Sequence, residues 1–451
     1  MLSFVQNWFG PKPSPIGVDF GTDCLRLAQV AWVEGDHRLV AAASCDVPSH
    51  VRGNPAARMQ FFSEAVRDLL SQGRFRGRQA VLALPAASMH VLHLKLPKLT
   101  EDELKKALPF EVRGKIAIDP SQAILRQHVA GEIYADGEPR QEVIVMAAHR
   151  ELVNNLLAAA AKARLDVVGM NVEPKATIDC FSHVHRRRSD AETVTCYVDI
   201  GAASTRAVIA LGTDVLFSRT IPLGGDEFTR AVAAAIGSGF DEAKMLRLQM
   251  AAGPAPSAAQ VMDDPRGKRE IDRAGGAESV AEEDNTTIGD VPSEENSFAL
   301  LSAGLSKRQQ RRDESEPSTS ATAVATAPAT AAPSVPLKKA EAAQHETALR
   351  LVDELNLCRR YHEATFPSKP VQKLIFVGGE ARHRTLCQTL ARQLGLAAQI
   401  GDPIVRMGKN SEIGIESGID RRQPQPAWAV AIGLSMGPKH AAVAAAKAEA
   451  K

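Results

Sequence analysis

The sequence predicts an α/β protein of two related lobes, with a small α/β subdomain inserted in the first. Three observations lead there. The segment "VDFGTDCLRLAQV" from Val18 and the segment "VDIGAASTRAVIA" from Val198 share Val-Asp-x-Gly, then small or polar residues, then an arginine (Arg26, Arg206) in an apolar-rich run. Each copy continues into the same plan of strand, turn and returning strand, over residues 16–48 and 196–223, as internal duplication would write it. The length of 451 residues exceeds one ordinary core and suits two lobes.

The elements follow in order. "IGVDFG" ends a strand at a glycine, "LRLAQVAW" alternates, "EGDH" turns and "RLVAAASCDV" returns. "PAARMQFFSEAVRDLLSQ" has helical periodicity, with Phe61, Ala65, Val66, Leu69 and Leu70 on one side. "QAVLALP" reads as a buried strand and "SMHVLHLKLP" as a half-exposed one; His90 and His93 read as exposed strand residues rather than ligands. "TEDELKKALPFEV" is a helix opened by a Thr100/Glu103 capping box. "QEVIVMAA" is a further strand, and a helix follows from Glu151. The expected division is a first lobe at 16–77 and 168–195, an inserted subdomain at 78–167, and a second lobe at 196–250 and 346–436. Tails occupy 1–15 and 437–451. Residues 251–345, rich in Ala, Pro, Ser, Thr and mixed charge, read as a disordered low-complexity insertion.

Composition excludes several classes. Hydrophobic content of 44% and charged content of 24% are ordinary for a soluble domain. A net charge of +1 and only 4% aromatics argue against a nucleic-acid footprint and against base-stacking platforms. The six cysteines form no C-x-x-C pair and stand beside no histidines at zinc spacing, which suits thiols in a reducing compartment. No apolar run is long enough for a transmembrane segment, and "MLSFVQNWFGPKPSP" lacks the basic start of a signal peptide, so a cytoplasmic location is expected.

The chemistry is expected at the glycines. Val-Asp-x-Gly at a strand end delivers a carboxylate, and the glycine permits a tight hairpin whose N–H groups can point at an anion. Asp19, Gly21 and Thr22 in one copy face Asp199, Gly201, Ser204 and Thr205 in the other. Two such jaws can clamp a polyphosphate, and Asp19 and Asp199 can hold Mg²⁺ through hard carboxylate oxygens. "FVGGEARHRTL" brings Gly378, Gly379 and Glu380 to a strand end before a helix, which is an adenosine pocket or a packing turn. "IPLGGDEFTRAV" places Gly224, Gly225 and Asp226 at another helix start, whose plain reading is a capped helix.

These residues resemble the superfamily of actin, Hsp70 and the sugar kinases, with its duplicated ribonuclease H-like lobes. Within it the chain most resembles the PilM-type assembly proteins of type IV pili, relatives of the cell-division protein FtsA. The resemblance extends through "ALPAASMHVLHLKLPKLTEDELKKALPFEVRGKIAIDP", "QEVIVMAAHRELVNNLLAAAAKARLDVVGMNVEPKA", "IPLGGDEFTRAVAAAIGSGFDEAKMLR" and "FVGGEARHRTLCQTLARQLGLAAQIGDP". It implies bound ATP with Mg²⁺. Asp19, Gly21 and Thr22 match the first phosphate loop, Asp199, Gly201, Ser204 and Thr205 the second, and Gly378, Gly379 and Glu380 the adenosine loop. Gly225, Asp226 and Thr229 match the region near the ribose and phosphates. Glu173, in "VEPKA", matches a Glu-Pro linked to hydrolysis, and is either a carboxylate that orients water or a plain helix-start acid.

The chain also departs from the family pattern. Arg26 and Arg247 stand where lysines are expected, and Ala202-Ala203 makes the second loop less polar. These changes leave nucleotide binding expected and hydrolysis slow at most. The resemblance further implies a scaffold at the cytoplasmic face of the inner membrane, in a pilus or a related type II secretion platform, peripheral through its partners. The amino-terminal tail of a PilN-like membrane protein would lie between the first lobe and the inserted subdomain, with "HVLHLKL" offering an apolar wall. A small-molecule kinase, a filament-forming protein and a nucleotide-free scaffold of the same superfamily are the alternatives.

Overall fold

The computed structural model describes residues 13–33, 35–135, 137–184, 188–252, 335–408 and 417–437. Most of the expected tails and of the expected low-complexity insertion lie outside these residues. The chain divides into one compact unit of Met1–Lys244 with Pro336–Lys451 and a second of Met245–Val335. Both lobes belong to the first unit.

The first lobe starts as an antiparallel meander of β1 (Ile16–Phe20), β2 (Cys24–Val33) and β3 (Asp36–Asp46). Asn54 then accepts hydrogen bonds from the Ala56 and Ala57 N–H groups and caps helix Pro55–Gln72, which opens on a proline. That helix buries Phe62, Ala65, Val66, Leu69 and Leu70 against the apolar face of β1 and β2. Next, β4 (Gln79–Leu84) runs parallel to β1.

The inserted sheet comprises β5 (Met89–Pro97), β6 (Ala123–Ala135) and β7 (Glu138–His149) in the order β5-β7-β6. Helix Glu101–Glu111 covers it, with the full Thr100/Glu103 capping box, and packs Leu104 and Leu108 on Leu94, Leu96, Val143 and Val145. Helix Arg150–Lys162 and β8 (Asp166–Val172) return the chain to the first lobe. The expected boundary of 78–167 is therefore too wide. β4 pairs with β1 and β8, and the Arg150 helix buries Leu156, Ala159 and Ala160 in the first-lobe core. A buried strand and an amphipathic helix look the same in sequence whichever sheet they join.

The second lobe repeats the plan with β9 (Val194–Ile200), β10 (Thr205–Leu211), β11 (Asp214–Ile221), β12 (Lys373–Val377) and β13 (Ala397–Ile400). Its order, β11-β10-β9-β12-β13, matches β3-β2-β1-β4-β8 strand for strand. Helix Val335–Thr365 begins eleven residues before the Glu346 start expected for this part of the lobe (335 against 346).

A shared core of Val30, Leu39, Phe181, Tyr197, Ile375 and Trp428 joins the lobes. Helical residues 429–437 complete it. They lie so close to β1 and to helix Glu173–Phe181 that a Cβ on Gly17 would strike the Ala431 carbonyl oxygen and one on Gly433 the Ala176 carbonyl oxygen. All six cysteines are free, and all but Cys45 are buried.

Candidate functional site

The two hairpins place their aspartates identically. Asp19 pairs in register with Arg26 across β1–β2, and Asp199 with Arg206 across β9–β10. Both aspartates are buried, and the charge of Asp199 bears on Asp19 through space. The lobes therefore bring the two expected jaws to one cleft.

The jaws are nonetheless wired differently. Arg206 donates to Asp199 Oδ2 from Nη2 at 2.6 Å and from Nε at 3.1 Å, and its Nη1 lies 2.7 Å from Glu173 Oε2. Glu173 opens helix Glu173–Phe181 ahead of Pro174, is 4% exposed, and also accepts from the Ala86 N–H at 3.3 Å. In the first jaw, Arg58 holds the loop instead, donating to the Gly21 and Thr22 carbonyls at 3.2 Å each while lying 4.4 Å over the Phe20 ring. Among the described residues Arg26 closes no ion pair with Asp19 and acts on it through space.

Electrostatics follow this wiring. Burial lifts the Asp19 carboxyl to about 6, against the pull of Arg26 and Arg206. Burial likewise lifts Glu173 to about 7, outweighing the attraction of Arg206. The two carboxylates, with Asp19, push the Arg206 guanidinium further toward its charged form despite its own burial.

Close backbone approaches assemble the remaining glycines. Helix Gly225–Ile236 docks on the second hairpin, because the Gly225 N–H donates to the Gly201 carbonyl at 2.9 Å and the Asp226 N–H to Ala202 at 2.8 Å. A Cβ on Gly224 would sit 2.6 Å from Gly201 O, Ala202 O and Ser204 N. Gly378 has φ +89°, and a Cβ there would strike Asp199 Oδ1 and approach Ile200 O at 2.5 Å. The Glu380 carboxylate lies against Gly225 where a Cβ would be, and Gly379 opens the short helical turn Gly379–Arg382. Asp226, raised by its burial, lies 3.8 Å from Arg52 of the first lobe.

Several expected contacts are otherwise employed. The Thr205 hydroxyl is fully buried and donates to the Leu223 carbonyl at 2.7 Å, so it anchors the strand rather than facing the cleft. The Thr229 hydroxyl donates to the Gly225 carbonyl one helical turn back at 2.8 Å. Ser204 is buried and Thr22 is part-exposed at its loop. Arg247 is buried on helix Phe240–Ala252 and belongs to the second compact unit, so it is not assigned to the cleft.

At Asp199 the expected Mg²⁺ ligation does not fit this arrangement, while Asp19 keeps no ion pair among the described residues. Asp199 Oδ2 is taken by Arg206, while Asp199 Oδ1 is buried without a hydrogen-bond partner and walled by Gly378. Among the described residues no group of three His, Cys, Asp or Glu side chains is set to hold a metal ion.

A second site lies beside β8, the outer strand of the first-lobe sheet. A cleft of about 580 Å³ is walled by Ile124 of β6, Met146 of β7, Leu157 of the Arg150 helix, and Val168 and Met170 of β8, with Arg126 and Lys175 at polar positions. The expected wall, β5, is elsewhere. Leu94 and Leu96 face the inserted core, and His93, expected to be exposed, is largely covered by the second lobe. Its ring stacks on Phe217 at 4.7 Å, with Nδ1 2.9 Å from Glu142 and Nε2 3.0 Å from the Ser218 carbonyl oxygen. Sequence reading missed both β6 and β8, and it missed Arg58. It noted Arg206 without assigning it a partner.

Two sheets of one strand order, joined by a common core and meeting at paired Asp-x-Gly hairpins, define an actin-like two-lobe protein. The family model for the type IV pilus assembly protein PilM matches residues 17–257, and the chain belongs to that family. A model for the cell division protein FtsA matches residues 196–433. Among solved structures, the chain is similar to a PilM-PilN type IV pilus biogenesis complex at 20% identity and TM-score 0.63, covering 94% of this chain and 98% of that one. It is also similar to the ethanolamine utilization protein EutJ from Carboxydothermus hydrogenoformans, at 13% identity and TM-score 0.43, covering 95% and 90%. A further similarity is to the cytoplasmic domain of EpsL, an inner-membrane component of the type II secretion system of Vibrio cholerae, at 13% identity and TM-score 0.32, covering 51% and 76%. No curated protein matches. No helix among the described residues is long and apolar enough to cross a membrane.

Proposed function

We propose that this protein is an ATP-binding cytoplasmic scaffold of a type IV pilus assembly platform, or of a related type II secretion platform. It sits at the inner membrane by holding the amino-terminal tail of a PilN-like membrane protein. The observation that carries this reading is the apolar cleft beside β8. A sheet edge with an unpaired side offers backbone hydrogen bonds to an extended peptide, while Ile124, Met146 and Val168 offer apolar seats for alternate side chains. Family membership and the fold shared with a PilM-PilN complex support that occupant.

The ATP part rests on the paired hairpins. The Gly21 and Gly201 loops flank the cleft for phosphates, and the Gly378–Glu380 turn stands beside the second loop for the adenosine. In this reading Glu173 is the carboxylate that orients water, and its hold by Arg206 makes any hydrolysis slow. The same hold favours a second reading, a scaffold that has given up nucleotide.

Calorimetry with a synthetic tail peptide of the PilN-like partner tests the main claim. Val168→Asp places a charge in the cleft at a position already 48% exposed, so folding is spared. Wild type should bind, and Val168→Asp should weaken binding at least about tenfold. Equal affinity in the two proteins would remove the cleft from the reading.

A further inference from the structure

The cleft holds a cation of its own. Arg206 lies between two carboxylates that reach it from different lobes: Asp199 at the end of β9 and Glu173 at the start of its helix. Both acids are no more than 5% exposed at their side chains, and the arginine is 13% exposed. A guanidinium presents five N–H donors in a rigid plane, which lets one side chain serve two acids at once. Holding two carboxylates together is a task a divalent ion can also perform, since it takes hard carboxylate oxygens. The position follows from hairpin register, since Arg206 is the residue directly across from Asp199. The remaining face of Asp199 is closed as well, because its Oδ1 abuts Gly378.

We infer that Arg206 stands in for a divalent cation in this cleft: its guanidinium, fixed between Asp199 and Glu173, is the positive charge that meets a nucleoside polyphosphate, and it occupies the oxygens a metal would need. This rests on reading the cleft as a nucleotide site, and its metal half is independent of that reading. Two consequences follow. Binding of ATP draws little on protein-bound Mg²⁺. Removing the arginine, while keeping both acids, leaves two buried carboxylates without a counter-charge and creates a metal site.

The test uses the full chain. Without nucleotide, Mn²⁺ is titrated and followed by electron paramagnetic resonance. Wild type should take up no Mn²⁺ at this cleft. Arg206→Ala should gain a site at least about tenfold tighter than any background, lost again when Asp199→Asn is added. With nucleotide, the affinity of wild type for ATP should change by less than about threefold between Mg²⁺ and EDTA, whereas Arg206→Ala should lose about tenfold or more in EDTA. Arg206→Lys keeps the charge without the fork, and should stay metal-free if Arg206→Ala does not fold. A wild-type Mn²⁺ site abolished by Asp199→Asn would overturn the inference, as would wild-type ATP binding that collapses in EDTA. Absence of ATP binding in every buffer would instead remove the nucleotide reading, and the Mn²⁺ titration would still decide the role of Arg206.

Discussion

The two hairpins of the cleft are copies in backbone and opposites in chemistry. Both set an aspartate across from an arginine, and both begin a sheet of the same strand order. In the second jaw the arginine turns onto its aspartate and reaches a third residue, Glu173. In the first jaw Asp19 keeps its burial without an ion pair among the described residues, and Arg58 ties down the loop carbonyls instead. Duplication thus copied geometry, while charge balance was settled separately in each lobe. A buried charge is tolerated when paired, and otherwise tends to neutralise by taking a proton.

That contrast can be broken most forcefully at the glycines. Gly224→Ala drives a Cβ into three backbone atoms of the second jaw, and Gly378→Ala adds a positive φ to a collision with Asp199. Each should cost on the order of 3 kcal/mol in chemical denaturation. Gly21→Ala in the first jaw meets one carbonyl oxygen at 3.0 Å and should cost less than half as much, about 1 kcal/mol. Equal losses in the two jaws would mean that the backbones are equally tight and the contrast is false.

The aspartates come next. Asp199→Ala strips Arg206 of one of its two buried partners and should lower stability by about 3 kcal/mol, the low end for a broken buried pair. Asp19→Asn removes a buried acid with no such pair and should leave stability unchanged in mildly acidic buffer. Thermal melts of the two variants side by side decide this.

The difference between the aspartates should also appear against pH. Folded Asp19 holds its proton up to about 6, above its ordinary 3.8, so the folded chain binds more protons than the unfolded chain between those values. Its contribution to stability is therefore full below that window and is lost as pH rises through it. Relative to wild type, Asp19→Asn should gain in melting temperature from about pH 4 to about pH 8. A flat difference would mean that Asp19 titrates as an exposed acid does. Arg58→Ala, which removes two hydrogen bonds and a ring contact at the first loop, should cost about 1 kcal/mol, as little as Gly21→Ala. Glu173–Arg206 should be untouched by it.

Particular elements show how far the chain could be read in advance. The repeat of Val-Asp-x-Gly with a downstream strand pair predicted two sheets of one topology, and the Thr100/Glu103 pattern predicted its helix start correctly. Local hydrogen bonding and period-two alternation write those features into short stretches. β6 and β8 escaped because their faces are shared irregularly between the inserted sheet, the first lobe and the cleft, so neither shows clean alternation. His93 alternates as an exposed residue would, yet Phe217 and Ser218 of the second lobe cover it.

The sequence by itself determined the duplicated sheets and the paired aspartates, because repeat and strand alternation are written into short stretches. Only the tertiary structure decided that Arg206 would meet Glu173, that Gly378 would close off Asp199, and that a cleft would open along β8. The first and last join residues from separate lobes or subdomains, and the second joins strands of one lobe that are far apart in sequence. Their distances are set by how the sheets pack on a common core, which no single stretch of sequence specifies.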